Sequence, residues 1–254
     1  MTALFCVICA LVGLCLGGVL YRLAYAFPRA SYGEVLRPTC HACGAALPFA
    51  YRIPVLGVFL SQGRCPVCGE KRGVGALFAE VVFAVALVLL YVVYRATPLF
   101  FIYTFVSAVL LVLSIVDLDI KEVSHLLLLL IIAPAIALFV FSFFPDWALD
   151  PAEWWEHLIG AYAVSVPLFI VMMVTRGGVG GGDIKLMFCL GFLIGYKLVL
   201  FAFLVGIVIA AVVAVTMMCL FGKNGKYELP LVPFLSLGFL VSVLVGGEVI
   251  AALF

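Results

Sequence analysis

The chain has 254 residues, 67% of them hydrophobic and 11% charged, and its mean hydropathy is +1.37. Soluble domains run nearer half apolar and a quarter charged, so a water-soluble globule is excluded and an all-α polytopic membrane protein is expected. The formal net charge of +1 speaks against a nucleic-acid partner, which calls for a strongly basic surface.

A hydrocarbon core needs roughly 20 apolar residues per helix. That length predicts about eight transmembrane helices, at 3–25, 75–94, 97–116, 126–144, 157–174, 184–196, 198–221 and 232–254. The first 25 residues end on Arg22 instead of starting from a basic region, and no small-residue cleavage site follows. They read as a retained span and not as a signal peptide. Cys6, Cys9, Cys15, Cys189 and Cys219 fall in apolar spans, where cysteine serves as a small packing residue.

Residues 26–73 form the one sizeable polar segment, and they carry Cys40-His41-Ala42-Cys43 and Cys65-Pro66-Val67-Cys68. Two CxxC pairs separated by 21 residues present four thiolates for tetrahedral Zn²⁺, with Gly44 and Gly69 following each pair where a knuckle turn favours glycine. A small zinc-binding loop domain is expected here. The alternative is a pair of redox dithiols or disulfides. Beyond the loop, Glu80 lies about two turns into the second span, where a carboxylate is expensive. It reads either as a functional group or as a buried hydrogen-bonded structural one.

Asp117 ends the third span, in Ser114-Ile115-Val116-Asp117-Leu118-Asp119-Ile120-Lys121-Glu122. The 145–156 loop is acidic and carries Trp147, Trp154 and Trp155, which suits an interfacial belt. After the fifth span comes Gly177-Gly178-Val179-Gly180-Gly181-Gly182-Asp183-Ile184-Lys185. The sixth span is short, and its Gly191 and Gly195 predict a broken or tilted helix.

With eight spans, 12 of the 14 basic residues fall on one face, and only Arg95 and Lys197 fall opposite. The positive-inside rule then puts both termini outside and the cysteine loop, Asp117 and Asp183 on the cytoplasmic side. Two carboxylates at one membrane boundary suit an aspartic peptidase, whose dyad shares one proton. Gly180 and Gly182 would permit the close backbone approach that an extended substrate needs. Other readings stay open: Asp119 as the partner in place of Asp117, a solvated helix end around Lys121 and Glu122, or a turn in which Asp183 caps a helix starting at Ile184.

The order of motifs resembles that of the type IV prepilin peptidases, bifunctional leader peptidase/N-methyltransferases among the GxGD membrane aspartic proteases. The resemblance covers nearly the whole chain. It rests on Gly17-Gly18-Val19-Leu20-Tyr21-Arg22, the CxxC pairs with Ile53-Pro54 and Gly63 between them, Glu80, Asp117-Leu118-Asp119, Gly180, Gly182, Asp183 and Lys185, and Leu229-Pro230-Leu231-Val232-Pro233-Phe234 as a late proline-rich hairpin. The chain departs from the family at Gly75-Ala76-Leu77 and at Val123-Ser124-His125.

The resemblance implies a bacterial inner-membrane enzyme that cleaves the leader of a prepilin or pseudopilin and methylates the new α-amine with S-adenosylmethionine. Asp117 and Asp183 would be the catalytic pair, Gly180, Gly182 and Lys185 the active-site loop, and Glu80 a residue of the methyl-transfer or substrate site. Cys40, Cys43, Cys65 and Cys68 would hold zinc. The implied organisation is a first span at 1–25, a methyltransferase-associated zinc loop at 26–73 and a peptidase core at 74–254. The competing class is a non-enzymatic transporter or assembly factor with a structural zinc loop.

Overall fold

A computed structural model describes residues 2–29, 43, 45, 64–65, 67–69, 75–143, 152–176, 178, 180–221 and 229–253. Every regular element among them is a helix: α1 (Thr2–Arg29), α2 (Gly75–Tyr94), α3 (Pro98–Ile120), α4 (His125–Phe141), α5 (Trp154–Ala163), α6 (Ser165–Val174), α7 (Gly181–Phe221) and α8 (Val232–Leu253). Five stretches are long and apolar enough to cross a membrane: Thr2–Phe27, Gly75–Tyr94, Pro98–Ile120, Trp154–Val174 and Gly181–Leu220. His125–Phe141 and Val232–Gly246 are shorter apolar helices.

The ends and breaks of these helices have local causes. Among the described residues, Arg95, Lys121 and Arg176 are the non-glycine residues with positive φ, at 54–55°, and each follows the C-terminal end of a helix. The amides of Arg95 and Lys121 close onto the carbonyls of Tyr91 and Asp117, at 2.8 and 3.0 Å. A left-handed residue costs a side chain roughly 1–2 kcal/mol. A cation at the negative end of a helix dipole recovers part of that. Val164 separates α5 from α6 three residues before Pro167, whose missing N–H and ring disrupt the preceding turn.

The sixth and seventh predicted spans run together as α7, interrupted at Gly195 (φ 77°, ψ 171°). Only glycine adopts that backbone readily. The fully buried His157 reaches this break, with Nδ1 2.9 Å from the Phe192 carbonyl oxygen.

Residues Met1–Val116 and Asp117–Phe254 form two compact units. In the first, α1 packs along α2. A Cβ on Gly13 would meet Ala84 Cα at 2.5 Å, and one on Gly17 would meet Glu80 Cα at 2.6 Å. Gly13-x-x-x-Gly17 is thus the small-residue stripe that lets two membrane helices touch backbone to backbone. Edge contacts of Tyr91 with Phe100 and of Tyr94 with Tyr103 join α2 to α3 around the Arg95 turn.

In the second unit α7 is the hub. Its first half meets α5 where Gly160 and Gly191 would each place a Cβ on the other's carbonyl oxygen. It meets α4 through Phe139 and Phe192, with ring centroids 5.2 Å apart. Its second half meets α8 through Gly206 and Gly238, and Ser242 Oγ donates to the Leu198 carbonyl at 2.7 Å. Close to the Gly195 break, Lys197 pairs with Glu156 at 2.8 Å and Trp155 lies by Tyr196.

Candidate functional site

Asp117 and Asp183 both belong to the second unit, where their carboxyl groups lie within electrostatic range of each other. Three local features bring them together. Lys121, in its left-handed conformation, stops α3 one turn after Asp117. The four residues 121–124 then turn the chain into α4, and their Val123 packs on the start of α7. A Cβ on Gly182 would sit 2.5 Å from Val123 Cβ and Cγ2. The helix that carries Asp183 therefore abuts the turn that follows Asp117, with no room for a side chain between them.

The glycines differ in what they permit. A Cβ on Gly180 would come 2.9 Å from Asp183 Oδ2, because the carboxylate folds back over that residue. A Cβ on Gly181 would meet nothing within 4 Å. Steric need thus falls on Gly180 and Gly182 and skips Gly181, which is the spacing of the Gly-x-Gly-Asp pattern. Asp183 is not a cap on a helix beginning at Ile184: α7 starts at Gly181, and the amides of Asp183 and Ile184 point to the Gly180 carbonyl at 3.1 and 3.5 Å.

Both carboxylates stand at helix N-termini, where the backbone presents unpaired N–H groups and the positive end of the dipole. Asp183 is in the first turn of α7. Asp117 Oδ2 accepts the backbone N–H of Val232, the first residue of α8, at 3.2 Å. Pro233 follows with no N–H to satisfy, and the amides of Phe234 and Leu235 turn back to the Leu231 carbonyl at 3.1 and 3.0 Å. Of the expected proline-rich segment, 229–231 lead without regular structure into α8, whose first N–H reaches Asp117. The sequence marked Val123 and Val232 only within longer motifs and did not give their contacts at the site; Pro233 at a helix start was the signal for the Val232 amide.

Asp117 is buried and Asp119 exposed. Two residues apart on a helix is about 200° of rotation, so α3 turns only one of them toward α8 and α7. His125 and Lys185 are exposed beside the pair, His125 opening α4 and Lys185 two residues beyond Asp183. A groove lined by both starts there.

In the first unit, Glu80 is 7% exposed and faces α1. A Cβ on Gly18 would lie 2.6 Å from its Oε1, so that glycine makes room for the carboxylate. One turn before α2 settles into this contact, a Cβ on Gly75 would meet the Tyr21 hydroxyl at 2.7 Å. Gly75 thus fits under a tyrosine.

Cys43, Cys65 and Cys68 have their Sγ atoms all within 4.8 Å of one another, and Cys43 and Cys65 are 3.9 Å apart. Thiolates held at about 2.3 Å around a tetrahedral zinc are about 3.8 Å apart, so the spacing fits that metal. Gly69 takes φ 73°, and its amide donates to the Cys65 carbonyl at 3.0 Å, which closes a knuckle turn. Cys40 lies outside the described residues, as do Ile53-Pro54 and Gly63.

Sequence comparison places these features in context. The Type IV leader peptidase family matches residues 104–215, and the Bacterial Peptidase A24 N-terminal domain matches residues 11–94. The chain is 28% identical over 241 residues to a prepilin leader peptidase/N-methyltransferase of Bacillus subtilis (strain 168), covering 94% of each chain. To one of Pseudomonas putida it is 26% identical over 215 residues, covering 84% of this chain and 73% of the relative. To one of Vibrio cholerae serotype O1 it is 30% identical over 184 residues, covering 68% of each. No solved structure matches the chain.

Proposed function

The chain belongs to the type IV leader peptidase family, and we propose from that premise that Asp117 and Asp183 are the catalytic pair of a membrane aspartic endopeptidase. In this reading it cleaves the leader of a prepilin or pseudopilin and methylates the amine that cleavage exposes; its relatives are named prepilin leader peptidase/N-methyltransferases. A non-enzymatic transporter or assembly factor is not favoured.

The observation that carries the site is geometric: Gly182, next to Asp183, packs directly on Val123 of the turn that follows Asp117. An aspartic catalytic dyad works by sharing one proton between its two carboxyl groups. The ionised member takes a proton from water, and the protonated member donates to the scissile carbonyl oxygen. The Val232 N–H holds Asp117, and the first turn of α7 carries Asp183. Water attack gives a tetrahedral intermediate. Return of a proton to the leaving nitrogen then breaks the C–N bond and frees a carboxylate and an amine.

Asp117→Asn or Asp183→Asn, assayed with membrane-embedded prepilin, is expected to lose roughly 10³-fold or more in cleavage rate, since acid–base groups contribute 10²–10⁴. Wild-type processing by either variant sinks the assignment.

Methyl transfer uses S-adenosylmethionine as donor, and Glu80 is the residue of this chain assigned to that site. Its buried carboxylate against Gly18 supports a role in holding a cationic group, either the donor or the substrate's ammonium. Cys43, Cys65 and Cys68, with Cys40, are assigned to a structural zinc in the 26–73 loop; the sulfur spacing supports this. Eight crossings, with the α7 halves counted separately at Gly195, follow from the break and from the basic-residue bias. On that count the site and the loop face the cytoplasm of a bacterial inner membrane, the peptidase core occupies 74–254, and both termini lie outside.

A further inference from the structure

A groove of about 670 Å³ runs through the second unit among α4, α5, α6 and the first half of α7. It starts at Ile184 and Lys185, the residues directly after Asp183, so an occupant has one end at the catalytic pair. The side chains able to carry positive charge, His125 and Lys185, are both at that end. Farther along, the wall turns to Leu129, Ile132, Phe169 and Phe188. Ser165 also lines it, but its hydroxyl donates to the Ala161 carbonyl, so its hydrogen bond is spent inside the protein. At the far end Tyr162 stands edge-on to Phe188, with centroids 5.5 Å apart.

The dimensions select the occupant. From His125 to Ile132 along α4 is about 10 Å, and from Ile184 to Cys189 along α7 about 7 Å, which is one to two helical turns. A polar peptide would leave its backbone groups unsatisfied against such walls. An apolar helix satisfies its own backbone and presents only side chains. Leu129 and Phe169 are 64% and 47% exposed, so the trough is open along its side and not roofed by another described helix.

We propose that this groove seats the first turns of the apolar helical segment that follows the scissile bond in the substrate, entered sideways from the lipid. The segment lies between α4 and α6 with its polar end at Lys185. The chain before it leaves the helix over Gly180–Gly182, where its carbonyls become open to attack. Leu129, Ile132 and Phe169 thereby set substrate register. The proposal rests on Asp117 and Asp183 being the catalytic pair.

The test places photoreactive p-benzoylphenylalanine at Leu129 or Phe169 in full-length Asp183→Asn protein, reconstituted in nanodiscs with intact prepilin. Val208 and Val212, exposed on the second half of α7, serve as controls. Adducts from Leu129 and Phe169 should map to the first two turns of the substrate's apolar segment, with none from the controls. Lipid adducts alone at both groove positions, or equal substrate capture at the controls, overturn the proposal.

A kinetic arm uses Ile132→Trp with both aspartates intact. KM for the full-length substrate should rise roughly tenfold more than KM for a short peptide ending just past the cleavage site, the scale of one misfitted apolar contact. Equal effects on the two substrates count against the groove. Cleavage by the wild type together with lipid-only adducts removes the groove and leaves the catalytic pair standing. Full cleavage by Asp183→Asn removes both.

Discussion

The contact between Gly182 and Val123 makes the sharpest quantitative test of the site. In Gly182→Ala the new methyl starts 2.5 Å from Val123 Cβ and Cγ2. Carbon atoms settle at about 3.5–4.0 Å, so α7 and the 121–124 turn must separate by about 1 Å. Overpacking of this kind costs roughly 1–3 kcal/mol, while alanine in place of glycine in a helix returns up to about 1 kcal/mol. The folded protein should therefore survive with a small loss of stability. Catalysis is more sensitive, because a misplacement of about 1 Å costs on the order of 10²-fold. Gly181→Ala meets open space and should cleave at the wild-type rate, with equal or greater stability. Gly180→Ala should lose activity by turning the Asp183 carboxylate, whose Oδ2 it would approach to 2.9 Å. Combining Gly182→Ala with Val123→Gly removes the obstructing side chain and should restore part of the rate. The assay is the initial rate of leader cleavage in membranes, normalised to protein and paired with a thermal unfolding curve in detergent. Equal losses in Gly181→Ala and Gly182→Ala, or a wild-type rate in Gly182→Ala, would refute the packing argument.

Two further outcomes follow from the first unit. Purified protein should hold about one zinc per chain, and Cys43→Ser, Cys65→Ser or Cys68→Ser should each lower that content, whereas Cys219→Ser should not; unchanged zinc in the three variants, by elemental analysis, defeats the assignment. Gly18→Ala would bring a methyl within 2.6 Å of Glu80 Oε1 and should reduce incorporation of labelled methyl groups far more than leader cleavage; equal losses of both activities would show Glu80 to be structural.

The parts of this molecule legible from sequence are those set by local composition. Apolar runs marked the helices, and of the two glycines expected to break the sixth span Gly195 does so at φ 77°, while Gly191 stays helical against Gly160. The two aspartates stood out because charge in an apolar span is rare. Linear spacing left Asp119 open beside Asp117; the family resemblance pointed to Asp117, and the rotation of α3 buries it and exposes Asp119. The contacts of Val123 and of the Val232 amide were invisible for a different reason. One is an ordinary apolar residue and the other a backbone group, and each matters only through a contact made far along the chain, 115 residues away for Val232. The Gly13-x-x-x-Gly17 stripe was readable in principle but was hidden in a span already rich in small residues.

The break at Gly195 bears on how the protein is made. A continuous helix of 41 residues would be about 60 Å long, twice the thickness of a bilayer's hydrocarbon core. Its two halves instead meet at one glycine, followed by Tyr196 and Lys197, with no soluble connector between them. During synthesis the first half therefore has no polar tether on which to wait while the second emerges. On the eight-crossing reading the pair enters the membrane nearly together, with the Lys197–Glu156 bridge and His157 holding the corner. A longer polar insertion after Gly195 would separate those two arrivals, and its penalty would appear in the yield of membrane-integrated protein before any effect on turnover.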